Sequence, residues 1–104
     1  MKITILKSKI RALTIDECRI EYEEGSITIP VDIMKRACIL PYEKVEVNSK
    51  FGKGRILTYA IPGKQVEMNG GAANHFKKGD VVHVNVFASI DLTDYQHGYK
   101  PIIV

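Results

Sequence analysis

Serine, tyrosine, arginine, lysine and asparagine are the residues here with chemistry to offer, and their neighbours decide what each can do. Ser26 sits in Tyr22-Glu23-Glu24-Gly25-Ser26 and leads into Ile27-Thr28-Ile29-Pro30. A serine hydroxyl is a weak nucleophile unless something holds and activates it. Taken alone, Gly25-Ser26 is a turn between two strands: glycine accepts φ > 0 and serine bonds nearby backbone. Tyr59 singly reads as strand packing, Arg55 as a surface charge and Asn69-Gly70 as a turn. Lys9 and Arg11 are two apart and so share one face of a strand, by itself a solvated face. Gly70, Gly71 and Ala72 belong to a run of small residues that lets a backbone approach closely or opens a short helix. His75, His83 and His97 have neither ligand spacing nor an acidic partner, so no metal site is expected. Cys18 and Cys38 form no CxxC or Cys/His cluster and read as free thiols in a reducing compartment.

Length and composition narrow the classes. At 104 residues the chain is expected to be one small domain, residues 1–104, with no room for a second core. Hydrophobic residues at 45% and charged residues at 26% are ordinary for a soluble globular protein. A net charge of +3 is too mild to imply nucleic acid, and Lys7, Lys9 and Arg11 have no interleaved aromatics. Residues 1–7 contain no uninterrupted apolar core, so no secretory signal is read, and no stretch approaches membrane-spanning length. The expectation is a cytoplasmic protein without nucleic-acid or membrane partners.

The elements that must position these residues are short. Ile3, Ile5, Ile10, Leu13 and Ile15 mark a long or bent strand near residues 2–15. Arg19 to Tyr22 and Ile27 to Ile29 read as short strands, the second ended by Pro30. Asp32 to Leu40 has apolar residues at helical spacing, stopped by Pro41. Lys44 to Val47 alternates, Phe51 to Gly54 is a hairpin-type loop, and Arg55 to Ile61 is a strand ended by Pro62-Gly63. Val66 to Met68 is a strand fragment, Gly79-Asp80 a turn, and Val81 to Phe87 the strongest β signal. Lys100 to Val104 is a last extended piece. Many short strands, frequent Gly/Pro punctuation and one clear helix predict a mainly β fold, a small barrel with one or two short helices.

With these pieces in order, the chain resembles the pyruvoyl-dependent aspartate 1-decarboxylase family over nearly its whole length. The resemblance is carried by Leu6-Lys7-Ser8-Lys9-Ile10, by Tyr22 with Gly25-Ser26-Ile27-Thr28-Ile29, and by Ile39 to Val45. It continues through Arg55 with Thr58 to Gly63, Asn69-Gly70, Gly79 to Val82 and Tyr99-Lys100-Pro101. The family fold is a double-psi β-barrel assembled as a homotetramer.

The resemblance implies a specific chemistry. Ser26 Oγ attacks the carbonyl of Gly25, an ester replaces the peptide bond, elimination cleaves the chain, and Ser26 becomes an N-terminal pyruvoyl group. Thr58 matches the family threonine that assists processing and contacts substrate, and Asn69 a nearby asparagine. The pyruvoyl ketone then forms a Schiff base with L-aspartate and accepts electrons as CO2 leaves, giving β-alanine for pantothenate synthesis. Tyr59 matches the proton donor; phenols carry their proton at neutral pH. Arg55 and Lys9 match the cationic contacts to substrate carboxylates, and Gly70, Gly71 and Ala72 the segment lining the pocket.

Departures from the family pattern define what to look for. Arg11 stands where the family usually has histidine, a fixed charge that could tighten binding of a dianion, change the preferred substrate or impair processing. Glu23 and Glu24 stand where one residue is usual, an insertion expected to shift register or form a bulge. Phe51 to Gly54 replaces a common Asn-Gly, Gly71 and Asn74 interrupt a usually alanine-rich segment, and the sequence stops at Val104, short of the usual family tail. Two alternatives follow: a pyruvoyl decarboxylase for another amino acid, and an uncleaved barrel that binds a ligand or partner.

Overall fold

Apolar alternation near residues 2–15 appears as one long strand, β1 (Lys2–Thr14), in the computed structural model, which describes residues 1–52 and 54–104. The other strands are β2 (Glu17–Arg19), β3 (Ser26–Pro30), β4 (Lys44–Ser49), β5 (Arg55–Gly63), β6 (Glu67–Asn69), β7 (Val81–Asp91) and β8 (Ile102–Ile103). They form one sheet in the order β2-β6-β3-β5-β4-β7-β1-β8. β2 and β1 lie at opposite sides of that order, yet only Ile15 and Asp16 separate them in the chain. The sheet therefore closes on itself as a small barrel, with β8 added outside β1. The joint is fixed by backbone bonds from Ile15 N–H to Asp80 O (2.8 Å) and from Asp16 N–H to Val66 O (2.8 Å). Asp16 Oδ2 accepts from Val66 N–H in return, also at 2.8 Å.

Two bulges bend β1 around the barrel. Its register against β7 shifts between Leu6 and Ser8 and again between Ile10 and Leu13. At the second shift Ala12 takes φ +58°, and its N–H donates to His83 Nδ1 at 3.1 Å. Lys9 and Arg11 flank buried Ile10 and both lie on the outer side. The inner positions follow period two: Val45 and Val47, Val82, Val84 and Val86, Ile27 and Ile29 are all buried in one cluster.

β6 is threaded between β2 and β3, parallel to the first and antiparallel to the second, so that Asn69 is paired with Arg19 on one side and Ser26 on the other. This interleaving of chain-adjacent strands is the ψ-type element that the resemblance implies. It also corrects the strand expected over Arg19 to Tyr22. The strand stops at Arg19, because the chain must turn around the end of β6, and Tyr22 N–H bonds back to Arg19 O (3.3 Å).

Other boundaries also move. The helix α1 covers Val31–Arg36 and does not reach Leu40. It is closed before Pro41 by its own backbone: Cys38 takes φ +55°, Cys38 N–H bonds Lys35 O (3.1 Å) and Ile39 N–H bonds Met34 O (2.9 Å). That is a Schellman cap with cysteine in the left-handed place where glycine is usual. β5 runs through Pro62 to Gly63, because pairing with β4 ends at Tyr59 and Pro62 lies on a stretch with only β3 beside it. β7 extends to Asp91, past Phe87, and short 3-10 turns follow β6 at Gly70–His75 and β7 at Leu92–Asp94. In the expected 51–54 loop, Phe51 and Gly52 form a turn, while Lys53 lies outside the described residues. Among the described residues no helix is long and apolar enough to cross a membrane.

The cap gives a direct test. A left-handed non-glycine residue costs about 1–2 kcal/mol, and glycine loses about 0.5–1 kcal/mol in chain entropy. Cys38→Gly is expected to raise stability by about 0.5–1 kcal/mol in urea unfolding. A loss of stability would show that the Cys38 side chain contributes more than its backbone costs.

Candidate active site

Ser26 and Thr28 are two apart on β3 and so project to the same side of the strand. Asn69, paired with Ser26 across β6, sits over both. Its Nδ2 donates one hydrogen to Ser26 Oγ (3.0 Å) and the other to Thr28 Oγ1 (2.9 Å). Ser26 and Asn69 are each 2% exposed, so water does not compete for these bonds. As an acceptor, Ser26 Oγ keeps its own hydrogen free for transfer. Among the described residues Asn69 Oδ1 is buried without a partner, an unmet acceptor beside the serine. Thr28 escaped the sequence reading, although its i, i+2 relation to Ser26 was a usable signal. Gly63 makes room for it: a Cβ there would collide with Thr28 Cγ2.

The glycine requirement falls on Gly70 and not on Gly25, which corrects the expected role of the turn. Gly25 has no positive φ, and a Cβ on it would meet Ala72 N at an ordinary 3.6 Å. Gly70 has φ +59°, and a Cβ there would lie 2.6 Å from Glu24 O and 2.8 Å from Gly25 N. Gly70 is thus pressed against the peptide that precedes Gly25. The extra glutamate is absorbed in an exposed bend at Glu23 and Glu24. The expected register shift or bulge is absent: Ser26, Ile27 and Thr28 pair in unbroken register with Asn69, Met68 and Glu67.

Two cavities meet at Gly25-Ser26. One, of ≈ 570 Å³, is lined by Gly25, Thr58, Tyr59, Gly71, Ala72 and His75, among others. The other, of ≈ 490 Å³, is lined by Ser26, Thr28, Asn69 and Tyr42, with Glu21, Glu23, Glu24 and Glu67 around it. Tyr59 lines both and packs against Tyr42 with ring centroids 5.7 Å apart. Among the described residues the first cavity has no carboxylate in its wall, and His75 is its one basic side chain. His75, which the sequence offered only as a non-ligand, is exposed and lines this wall.

Lys9 and Arg55 are not brought to these cavities within one chain. Lys9 is opposite Asn85 on β7, and exposed Arg55 opens β5 with its Nε bonded to Asn48 Oδ1 (2.9 Å). Arg11 is exposed, with its N–H bonded to Val104 O (2.9 Å). The geometry therefore presents a buried, held hydroxyl next to a peptide bond, a tyrosine shared by two cavities, and cations on the outside.

The aspartate decarboxylase family model matches residues 1–104. The chain belongs to the aspartate decarboxylase family. An aspartate 1-decarboxylase of Clostridium novyi (strain NT) is 39% identical over 108 positions, covering 100% of this chain and 86% of that protein. One from Syntrophotalea carbinolica is 42% identical over 109 positions, covering 100% and 81%. One from Hyphomonas neptunium is 35% identical over 95 positions, covering 88% and 80%. In this member of the aspartate decarboxylase family, Thr58-Tyr59 and Asn69-Gly70 lie at the Gly25-Ser26 peptide, while Lys9 and Arg55 lie outside it.

The contrast between two adjacent glycines tests the close approach. Gly70→Ala is expected to cost about 2–4 kcal/mol in thermal or urea unfolding, from left-handed strain plus the clash with Glu24. Gly71→Ala meets nothing within 4 Å and should stay within about 0.5 kcal/mol of the unmodified protein. Equal effects of the two changes would remove the case for Gly70 bracing the Glu24-Gly25 peptide.

Proposed function

We propose that this chain cleaves itself between Gly25 and Ser26 and then decarboxylates L-aspartate to β-alanine and CO2. Its family membership makes it a carboxy-lyase. The observation that carries the self-cleavage is the buried Ser26 hydroxyl, fixed by Asn69 next to a peptide that separates two cavities. Fixing a nucleophile in place removes an entropic part of the barrier. Ser26 Oγ adds to the Gly25 carbonyl as the peptide C–N bond breaks, leaving Gly25 esterified to Ser26 and the Ser26 nitrogen free. Loss of the Ser26 α-proton expels the Gly25 carboxylate. Water then replaces the nitrogen, which leaves as ammonia.

The residues present fit a pyruvoyl group at position 26. When formed, it supplies an electron sink for loss of CO2. Asn69 Oδ1, the unmet buried acceptor, is available to orient a donor there. The substrate enters on the side of Thr58, Gly71 and Ala72, because the opposite cavity carries Glu21, Glu23 and Glu24, which repel a dicarboxylate, while its Glu67 is paired with Arg19. Tyr59 holds the proton that is returned to the product carbon from its hydroxyl.

We infer a homotetramer as the working form. Lys9 and Arg55 lie outside both cavities of their own chain, and Leu57 and Phe87 are exposed apolar residues on the same barrel wall. A neighbouring copy is the route by which the two cations reach a substrate carboxylate. The unpaired Cys18 and Cys38 support a reducing, cytoplasmic setting. Burial, with Asp80 and Glu17 nearby, raises the Cys18 thiol above its ordinary pKa, so it stays protonated.

Denaturing mass spectrometry is expected to show one fragment ending at Gly25 and one with a blocked pyruvoyl terminus, while Ser26→Ala stays full-length. Tyr59→Phe is expected to cleave normally but lose at least about 99% of CO2 release, the usual scale for a positioned acid. An unmodified chain that stays intact after prolonged warming would instead support an uncleaved binding barrel. A cleaved chain inactive on aspartate but active on another amino acid would change the substrate and keep the chemistry.

A further inference from the structure

A row of polar side chains crosses the outer wall of the barrel. Asn85 on β7 pairs with Lys9 on β1 and with Glu46 on β4, and Asn48, two residues along β4, pairs with Arg55 on β5. All five project to the side opposite the buried valines. The bonds along the row have a fixed direction. Arg55 Nε donates to Asn48 Oδ1 (2.9 Å), and Asn48 Nδ2 donates to Glu46 Oε1 (2.9 Å). Asn85 Nδ2 donates to the same carboxylate oxygen at 3.3 Å.

We propose that Asn48 and Glu46 are positioning residues that orient the Arg55 guanidinium toward a substrate carboxylate. This rests on the reading above that Arg55 holds that carboxylate. The Glu46 carboxylate accepts only, so it turns the NH2 of Asn48 toward itself and the Oδ1 of Asn48 toward Arg55. Rotating the Asn48 amide would set oxygen against carboxylate and NH2 against N–H, losing both bonds. With Nε committed, the plane of the guanidinium is fixed and its two terminal NH2 groups remain for a two-point contact. The Glu46 carboxyl is held below its ordinary range, first by the Asn48 bond, with the Asn85 bond and the Arg55 charge acting in the same direction against burial. Neither Glu46 nor Asn48 lines the cavities at Gly25-Ser26, so their effect is transmitted through Arg55.

The test compares steady-state kinetics on L-aspartate for fully cleaved Arg55→Ala, Asn48→Ala, Asn48→Asp and the double change Asn48→Asp with Glu46→Gln. Asn48→Ala is expected to raise KM about tenfold with kcat within about twofold, the value of one orienting hydrogen bond. Asn48→Asp alone places two carboxylates together and should also raise KM. Adding Glu46→Gln restores a donor–acceptor pair between positions 46 and 48, with the donor now on 46, keeps an acceptor facing Arg55 Nε and restores the net charge. It should bring KM back to within about threefold of the unmodified enzyme. These last two changes are nearly isosteric, so they keep the test sound if the alanine variant misfolds. A KM unchanged by Asn48→Ala, or no recovery in the double variant, while Arg55→Ala raises KM, would overturn the proposal alone. A KM unchanged by Arg55→Ala would overturn the role of Arg55 and the proposal together.

Discussion

One side-chain amide holds the centre of this molecule. Asn69 spends its two hydrogens on Ser26 and Thr28, in a place where neither hydroxyl can turn to water instead. Each bond is worth roughly 1 kcal/mol net, but leaving a buried polar group unmet costs more, so the three residues are fixed as a unit. The rest of the fold supplies what that unit needs. β6 must run between β2 and β3 to bring Asn69 opposite Ser26, and β3 must keep strict alternation so that Thr28 follows Ser26 onto the same side.

The threading of β6 also explains the tight packing at Gly70. Once Asn69 is fixed over Ser26, the chain leaves β6 directly beneath the turn that delivers Gly25. Only a residue without a side chain fits against that turn at the start of the 3-10 segment, and φ +59° adds a second reason for glycine. The segment then contributes Gly71 and Ala72 to one cavity, while Ser26 faces the other. Gly25 and Ser26 thus line different cavities on either side of one peptide bond.

Much of this was legible in the sequence, and the failures have physical causes. Period-two patterning identified β1 and β4, because a barrel wall with one dry face imposes alternation, and β-branched residues identified β7. The small-residue run after Asn69 was correctly read as a close approach or a short helix. Helix α1 was drawn too long because its termination is a backbone cap on Cys38, which leaves no glycine to read. The strand over Arg19 to Tyr22 was misplaced because its end is set by threading, a tertiary constraint. At the site, Thr28 looked like an ordinary strand residue, and the Glu46-Asn48-Asn85 row could not be seen without knowing which strands are neighbours. Lys9 and Arg55 were picked by resemblance, but nothing local revealed that they lie outside the cavities of their own chain.

The rate at which purified full-length chain disappears, followed by denaturing mass spectrometry in Asn69→Asp beside the unmodified protein, tests the role of the Asn69 amide most directly. The change preserves shape but removes both donors, so Ser26 and Thr28 lose their common anchor. Cleavage is expected to slow by about 10–100-fold, the scale of misplacing a reacting group by an ångström or less. Cleavage of Asn69→Asp at the unmodified rate, with Ser26→Ala still uncleaved, would contradict a positioning role for Asn69 and leave Ser26 poised by some other contact.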